Sequence, residues 1–417
     1  MAAKKKTVRK AFGYRQCDDF AAYLNHMAHQ GWHFKEWRAG LVFEEGPPEE
    51  AHYAVEIFTK AEETDTRPEP DTREFAEYCE AAGWQFVDSL RKYCVFKRIR
   101  SDAVPIMTDE ERFEAIVQAE KPTVNRALGL SFAWVLLKTL EMVTMLEMRI
   151  FDSLYVSMAS LWFLLFVLAL LRWGQFQLWK HLCRKQLELG KPLFFGRSRR
   201  ANSERWYDFL YSGALLVHLG YLAYLGQSRL ILYLLIVSGI VMIMGFLLAW
   251  LRPDSTTNSL IQIIVTVVLV LGILTAATLD TVGNDQVNPT SAPPLTFADM
   301  GYDLNNPEIA YSYADSSVFG TSQRAQLRQD GEYVSYSIYF SDHSWVLRKV
   351  WMEETKHKTK LERTDCTAAW GAVEAFRYGE SNYLIRYEDA LWTFHSSFEE
   401  PLTQEQIDSI IAALRGG

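Results

Sequence analysis

Between residues 121 and 281 the polar positions thin out, and five apolar stretches follow one another at 127–146, 154–173, 207–225, 230–251 and 260–279. Each matches the roughly 20 residues that a helix needs to cross the hydrocarbon core of a bilayer. The fifth has no charged residue from Ile261 to Leu279, whereas the first carries Lys138 and Glu141. Runs of this length and number exceed what one small soluble core can bury. The pattern therefore predicts a multidomain membrane protein: a five-helix transmembrane bundle with a folded aqueous domain at each end.

The first 120 residues contain an internal match. Phe20-Ala-Ala-Tyr23, Gly31-Trp32-His-Phe34 in one copy aligns with Phe75-Ala-Glu-Tyr78, Gly83-Trp84-Gln-Phe86 in the other. Each copy reads as a short amphipathic helix, apolar at helical spacing through Phe20, Leu24 and Met27 or Phe75, Tyr78 and Ala82. Each helix stops at a glycine, the favoured residue past a helix C-terminus. Strands are expected before the helices at 8–14 and 52–58, and after them at 32–43 and 84–96. Asp18/Asp19 and Asp71/Thr72 supply N-cap chemistry. The order βαββαβ predicts an α+β ferredoxin-like domain over residues 1–120.

The remainder of the chain divides into the bundle at 121–281, a Pro/Asn/Ser-rich linker at 282–300 and a small α+β domain at 301–417. In the last of these, 333–340 and 345–351 read as a strand pair around Ser-Asp-His-Ser. A second hairpin spans 383–387 and 391–394. Thr403 and Gln406 form a capping box before Ile407, Ile410, Ile411 and Leu414 at helical spacing.

Charge assigns sides. The 417 residues carry a net charge of -8, and the ends are acidic while the apolar middle is basic. Lys180, Arg184, Lys185, Lys191, Arg197, Arg199, Arg200 and Arg205 fall between the second and third stretches, so that loop is expected in the cytoplasm by the positive-inside rule. Arg252-Pro253, at the end of the fourth, falls on the same side. The N-terminal domain is then cytoplasmic and the C-terminal domain extracellular. Neither end has the clustered positive face that nucleic acid requires. The five cysteines show no CxxC or finger spacing, which leaves no zinc site. His26, His29 and His33 lie close together but lack a further ligand, and no cofactor or catalytic motif is present. No apolar leader follows the N-terminal lysines, so no cleaved signal is expected.

The segments VRKAFGYRQCDDFAAYLNHMAHQGWHFKEW and EFAEYCEAAGWQFVDSLRKYCVFKR, followed by several spans, resemble a family of uncharacterised membrane proteins of Gram-positive bacteria, a domain of unknown function often associated with PadR-type regulators. The resemblance implies a bacterial plasma membrane and a regulatory setting, and it transfers no catalytic residue. The ending YLIRYEDALWTF and PLTQEQIDSIIAAL is similar to the close of extracellular domains in anti-sigma-like and lipoprotein-like proteins.

Ionisable residues at bilayer depth are the first places to look for function. Lys138 and Glu141 lie about 16 and 21 Å along their helix, and His218 about 17 Å along its own. Lys138 and Glu141, three apart, can also neutralise each other. Trp32 and Trp84 are a candidate cleft in the cytoplasmic domain, or repeated core aromatics. Three functions follow from these features. One is a signalling or regulatory protein that couples an extracellular binding domain to a cytoplasmic domain with a protein partner. Another is a transporter or transport-accessory subunit. The third is an enzyme acting on a lipid or wall precursor at the membrane face. Membrane lipids are partners in each.

Overall fold

Both N-terminal repeats fold as strand, helix, strand, strand in the computed structural model, which describes residues 4–145, 149–196, 202–226, 228–283, 292–302, 308–329, 331–356 and 362–415. The first repeat contains β1 (Lys5–Val8), α1 (Cys17–His29), β2 (Trp32–Trp37) and β3 (Leu41–Glu45). The second contains β4 (Tyr53–Ile57), α2 (Pro70–Ala81), β5 (Trp84–Leu90) and β6 (Tyr93–Arg98). Each repeat closes its own three-stranded antiparallel sheet, in the orders β1-β3-β2 and β4-β6-β5. The third strand thus lies between the two that the helix joins.

This differs from one four-stranded ferredoxin-like sheet, for a local reason. The stretches 32–43 and 84–96, read as single strands, each fold back into a hairpin. Ala39 and Arg91 take φ values of 53° and 54°, and Gly40 takes 149°. A positive φ at Ala or Arg has little sequence signal, because such residues rarely adopt it. The first strand covers 5–8, not 8–14. The helix caps differ as well: Gln16 and Glu69 occupy the N-cap positions without side-chain bonds, and Pro70 starts α2. Asp18 is released for another contact, described below.

Among the described residues five long helices follow: α3 (Asp109–Thr144), α4 (Ser153–Glu188), α5 (Asn202–Tyr224), α6 (Ser228–Leu251) and α7 (Ser255–Gly283). Among the described residues, α3, α4, Leu230–Leu251 of α6 and Ser255–Gly272 of α7 are long and apolar enough to cross a membrane. The third apolar stretch is helical in α5, which carries Asp208 and His218 and is not among those four. Two boundaries differ from expectation. Helix α3 has its first turns inside the N-terminal domain, where Phe113, Ile116 and Val117 join a core with Phe20, Phe43 and Val55. Helix α4 continues through Lys180, Arg184 and Lys185, and its Phe176 joins the same core.

The chain forms two compact units, one from 1–134 and 161–274 and the other from 135–160 and 275–417. The second holds a seven-stranded antiparallel sheet in the order β10-β11-β12-β13-β9-β8-β7. Its strands are β7 (Glu308–Ser317), β8 (Gly320–Gln329), β9 (Glu332–Phe340), β10 (Arg363–Asp365), β11 (Glu374–Tyr378), β12 (Asn382–Arg386) and β13 (Ala390–Ser396). The hairpin around Glu388-Asp389 is present, with Ile385 opposite Trp392. The capping box is also present: the Thr403 N–H donates to Gln406 Oε1 at 2.9 Å ahead of α9 (Gln404–Arg415). The stretch 345–351 is a helix, α8 (Ser344–Lys356), where a strand was expected. Its buried residues Val346, Leu347 and Val350 are spaced one, three and four apart, which fits one helical face and breaks strand alternation. β7 and β8, polar along much of their length, carry too weak an apolar alternation to be read in advance.

Each face of this sheet has a core. One contains Tyr336, Trp370, Trp392 and Ile407. The other contains Tyr339, Val346, Leu347 and Leu391 together with Ile150 and Phe151, both fully buried, from the turn between α3 and α4. The Ser317 hydroxyl donates to the Ile150 carbonyl at 2.6 Å.

Candidate functional site

The aligned tryptophans lead to the strongest site. Four residues beyond Trp32 and Trp84 stand Glu36 and Asp88, equivalent positions of the two repeats. Each follows a bulge at the same place in its strand, between Phe34 and Glu36 in β2 and between Phe86 and Asp88 in β5. A bulge bends a strand and re-aims the side chain beside it. The two strands lie side by side, and the Trp37 N–H donates to Asp88 Oδ2 at 2.7 Å.

Into this seam projects Arg252, immediately after α6. Its guanidinium is bidentate on Asp88, with both N–H···O distances 2.9 Å, and lies 3.6 Å from Glu36. Nη2 also donates to the Ser89 carbonyl at 2.9 Å and Nε to the Thr66 carbonyl at 2.5 Å. One arginine from the α6–α7 turn thus bridges the two repeats. Its own φ is 52°, in the left-handed region that costs a non-glycine residue about 1–2 kcal/mol and persists only where surrounding contacts enforce it. Burial pushes the Asp88 carboxyl up from the usual carboxylate range, against the hydrogen bonds and charge of Arg252. The turn is held further by Asn258, which donates to the Thr64 carbonyl, and by Ser255, whose N–H donates to Glu69.

A second charged cluster joins the same domain to α3 and α4. Glu56 is fully buried on β4, and Arg112 of α3 is bidentate on it while also bonding Asp18 at 3.2 Å. Burial raises the Glu56 carboxyl, opposed by Arg112. Asp18 is likewise raised by burial, against the Phe195 N–H that donates to it at 2.7 Å. The Leu193 N–H donates to Asp109, so the segment after α4 is bound at two points. Arg15 pairs with Glu120 at 2.5 Å and lies 4.4 Å over the Trp179 ring. Paired arginine and carboxylate groups with little solvent access hold an orientation well, because breaking one leaves a buried charge.

The residues expected from sequence have other settings. Trp84 is buried, and its indole N–H donates to the Val104 carbonyl at 2.7 Å. Trp32 is half-buried under Lys6, 5.3 Å from its ring. His33 contacts the Pro47 carbonyl at 2.8 Å and His26 contacts Gln30 at 2.9 Å, and no metal-binding group of three ligands occurs among the described residues. Lys138 and Glu141 pair at 2.8 Å in the second unit. Arg149 reaches Glu141 at 3.4 Å, and the Tyr155 hydroxyl donates to the Lys138 carbonyl. His218 belongs to the first unit, where its Nε2 is buried without a hydrogen-bond partner among the described residues.

Arg252 and Arg112 were not singled out from sequence. Arg252 reads there as a topological anchor. A usable signal exists in retrospect: acids stand at matched repeat positions, Glu36 and Asp88, and Glu56 interrupts an otherwise apolar strand.

Cys17, Cys79 and Cys94 are buried free thiols in this domain, and burial raises each, Cys79 to about 11. Since the thiolate is the reactive form, all three should resist a maleimide at pH 7 in the folded full chain and react after denaturation. Rapid native labelling of Cys17 would show that α1 is not packed as described.

Residues 16–125 match a family model described as a protein of unknown function, DUF2812. The match covers Glu36, Glu56, Asp88 and Arg112, ends before Arg252, and supports the expected domain-of-unknown-function family for this part of the chain. No curated protein and no solved structure matches the chain.

Proposed function

We propose that the protein is a membrane-embedded signalling or regulatory protein, in which an extracellular binding domain is coupled through five spans to a cytoplasmic interaction domain. The observation that carries this reading is Arg252, which ties the turn between two membrane helices to equivalent carboxylates of both repeats. A shift of that turn changes the charge balance between the repeats directly, without a flexible linker to absorb it.

Contacts within the first unit support the span count. The N-terminal domain touches the segment after α4 through Phe195 and the α6–α7 turn through Arg252, which supports a reading in which both share its side of the bilayer. An even number of crossings must then separate them. If α6 crosses, α5 crosses as well, despite its polar residues. On this reading α3 and α4 cross together by the same parity, and α7 would be the fifth span. The basic residues of that segment favour the cytoplasm for this side, and a bacterial plasma membrane fits the resemblance described above.

The partner is a protein bound by the duplicated domain, and Tyr78 on α2, 70% exposed, offers an anchor for it. A photo-crosslinking amino acid at position 78 of the full chain in cells should capture one discrete protein. Absence of any adduct there and at neighbouring exposed positions of α2 would count decisively against the coupling model.

A further inference from the structure

We propose that the cleft between α3, α4 and α5 binds a zwitterionic phospholipid whose headgroup ends in a primary ammonium, the phosphatidylethanolamine class. The cleft has a volume of about 550 Å³ and is lined by Ser131 and Trp134 of α3, Trp162 and Arg172 of α4, and Asp208 and Tyr211 of α5. Arg172 and Asp208 both face it. Neither has a hydrogen bond or ion pair among the described residues, and they are not paired with each other. Elsewhere in this unit Arg15, Arg112 and Arg252 are all paired with carboxylates. An unpaired cation and an unpaired anion across one cleft are complementary to a dipolar ligand placed between them.

Depth and shape narrow the class. Arg172 falls at the end of one apolar stretch and Asp208 at the start of the next, the level of the headgroups. Trp134 and Trp162 stack deeper along the cleft with ring centroids 5.1 Å apart. Trp162 lies about 15 Å of helix from Arg172, so the pair would flank acyl chains below the headgroup. A guanidinium matches phosphate bidentately. A carboxylate accepts charge-assisted hydrogen bonds from a primary ammonium, which a quaternary choline cannot donate. Phosphatidylglycerol would satisfy Arg172 and leave Asp208 facing an anion. Tyr211 lines the same cleft, and its hydroxyl is 3.4 Å from the Leu165 carbonyl.

The inference depends on these helices being spans and is independent of the protein partner. The full chain, delipidated in mild detergent, would be exposed to equal amounts of phosphatidylethanolamine, phosphatidylcholine and phosphatidylglycerol and examined by native mass spectrometry. One molecule of phosphatidylethanolamine should be retained at least tenfold over each competitor. Asp208→Asn should remove the preference over phosphatidylcholine, Arg172→Gln should abolish retention, and Arg172→Lys should restore part of it. A photoactivatable phosphatidylethanolamine should label peptides from 127–134, 161–172 and 208–212. Equal retention of the three lipids, labelling spread over all helices, or unchanged selectivity in folded, monodisperse Asp208→Asn protein would each overturn the proposal.

Discussion

Replacing Arg252 by methionine is expected to destabilise the N-terminal domain by about 3–5 kcal/mol, the range for removing one partner from a buried ion pair. The magnitude follows from what remains. Asp88 and Glu36 stay in the seam, Asp88 with 6% of its side chain exposed, and the carbonyls of Thr66 and Ser89 lose their donor. An exposed pair such as Lys35–Glu44 is screened by solvent and contributes far less. The double variant Arg252→Met with Asp88→Asn should recover part of the loss, because it removes the stranded charge. Hydrogen exchange on the full chain in nanodiscs should show faster exchange in β2, β5 and residues 60–69. If exchange there is unchanged, Arg252 does not clasp the repeats, and the coupling reading loses its main support.

The second large effect concerns the other unit. Phe151→Ala should cost about 3–5 kcal/mol, as large-to-small changes of buried aromatics do. Phe151 is fully buried, 5.4 Å from the Tyr339 ring centroid, and its turn is held by the Ser317–Ile150 hydrogen bond. The expected result is earlier thermal unfolding of the C-terminal domain and proteolysis within β8 and β9, with the N-terminal domain unaffected. Unchanged protease resistance would mean that the 149–152 turn does not contribute to this core. Leucine at the same position should lose less, which separates lost packing from a misfolded turn.

These two residues also mark the limit of what the sequence discloses. The apolar stretches, the duplicated helix-Gly-Trp step, the hairpin from Tyr383 to Phe394 and the Thr403–Gln406 cap were all legible. Each is a local or periodic signal, complete within about 20 residues, and the physics that produces it acts between near neighbours. The 345–351 stretch is so short that its spacing of Val346, Leu347 and Val350 around Arg348 and Lys349 is a weak helical signal beside the neighbouring strand pattern. Packing against the sheet face fixes it as a helix. The hairpins at Ala39 and Arg91 were missed because positive φ at those residues is enforced by packing, not by side-chain preference.

The site itself lay furthest from view. Arg252 and Asp88 are 164 positions apart, and nothing in the composition of either segment requires the other. Sequence alone determined that a basic residue ends the fourth apolar stretch and that acids occupy matched positions in two repeats. Folding decided that they meet, because burying the Asp88 carboxylate between adjacent bulged strands is tolerable only with a guanidinium beside it.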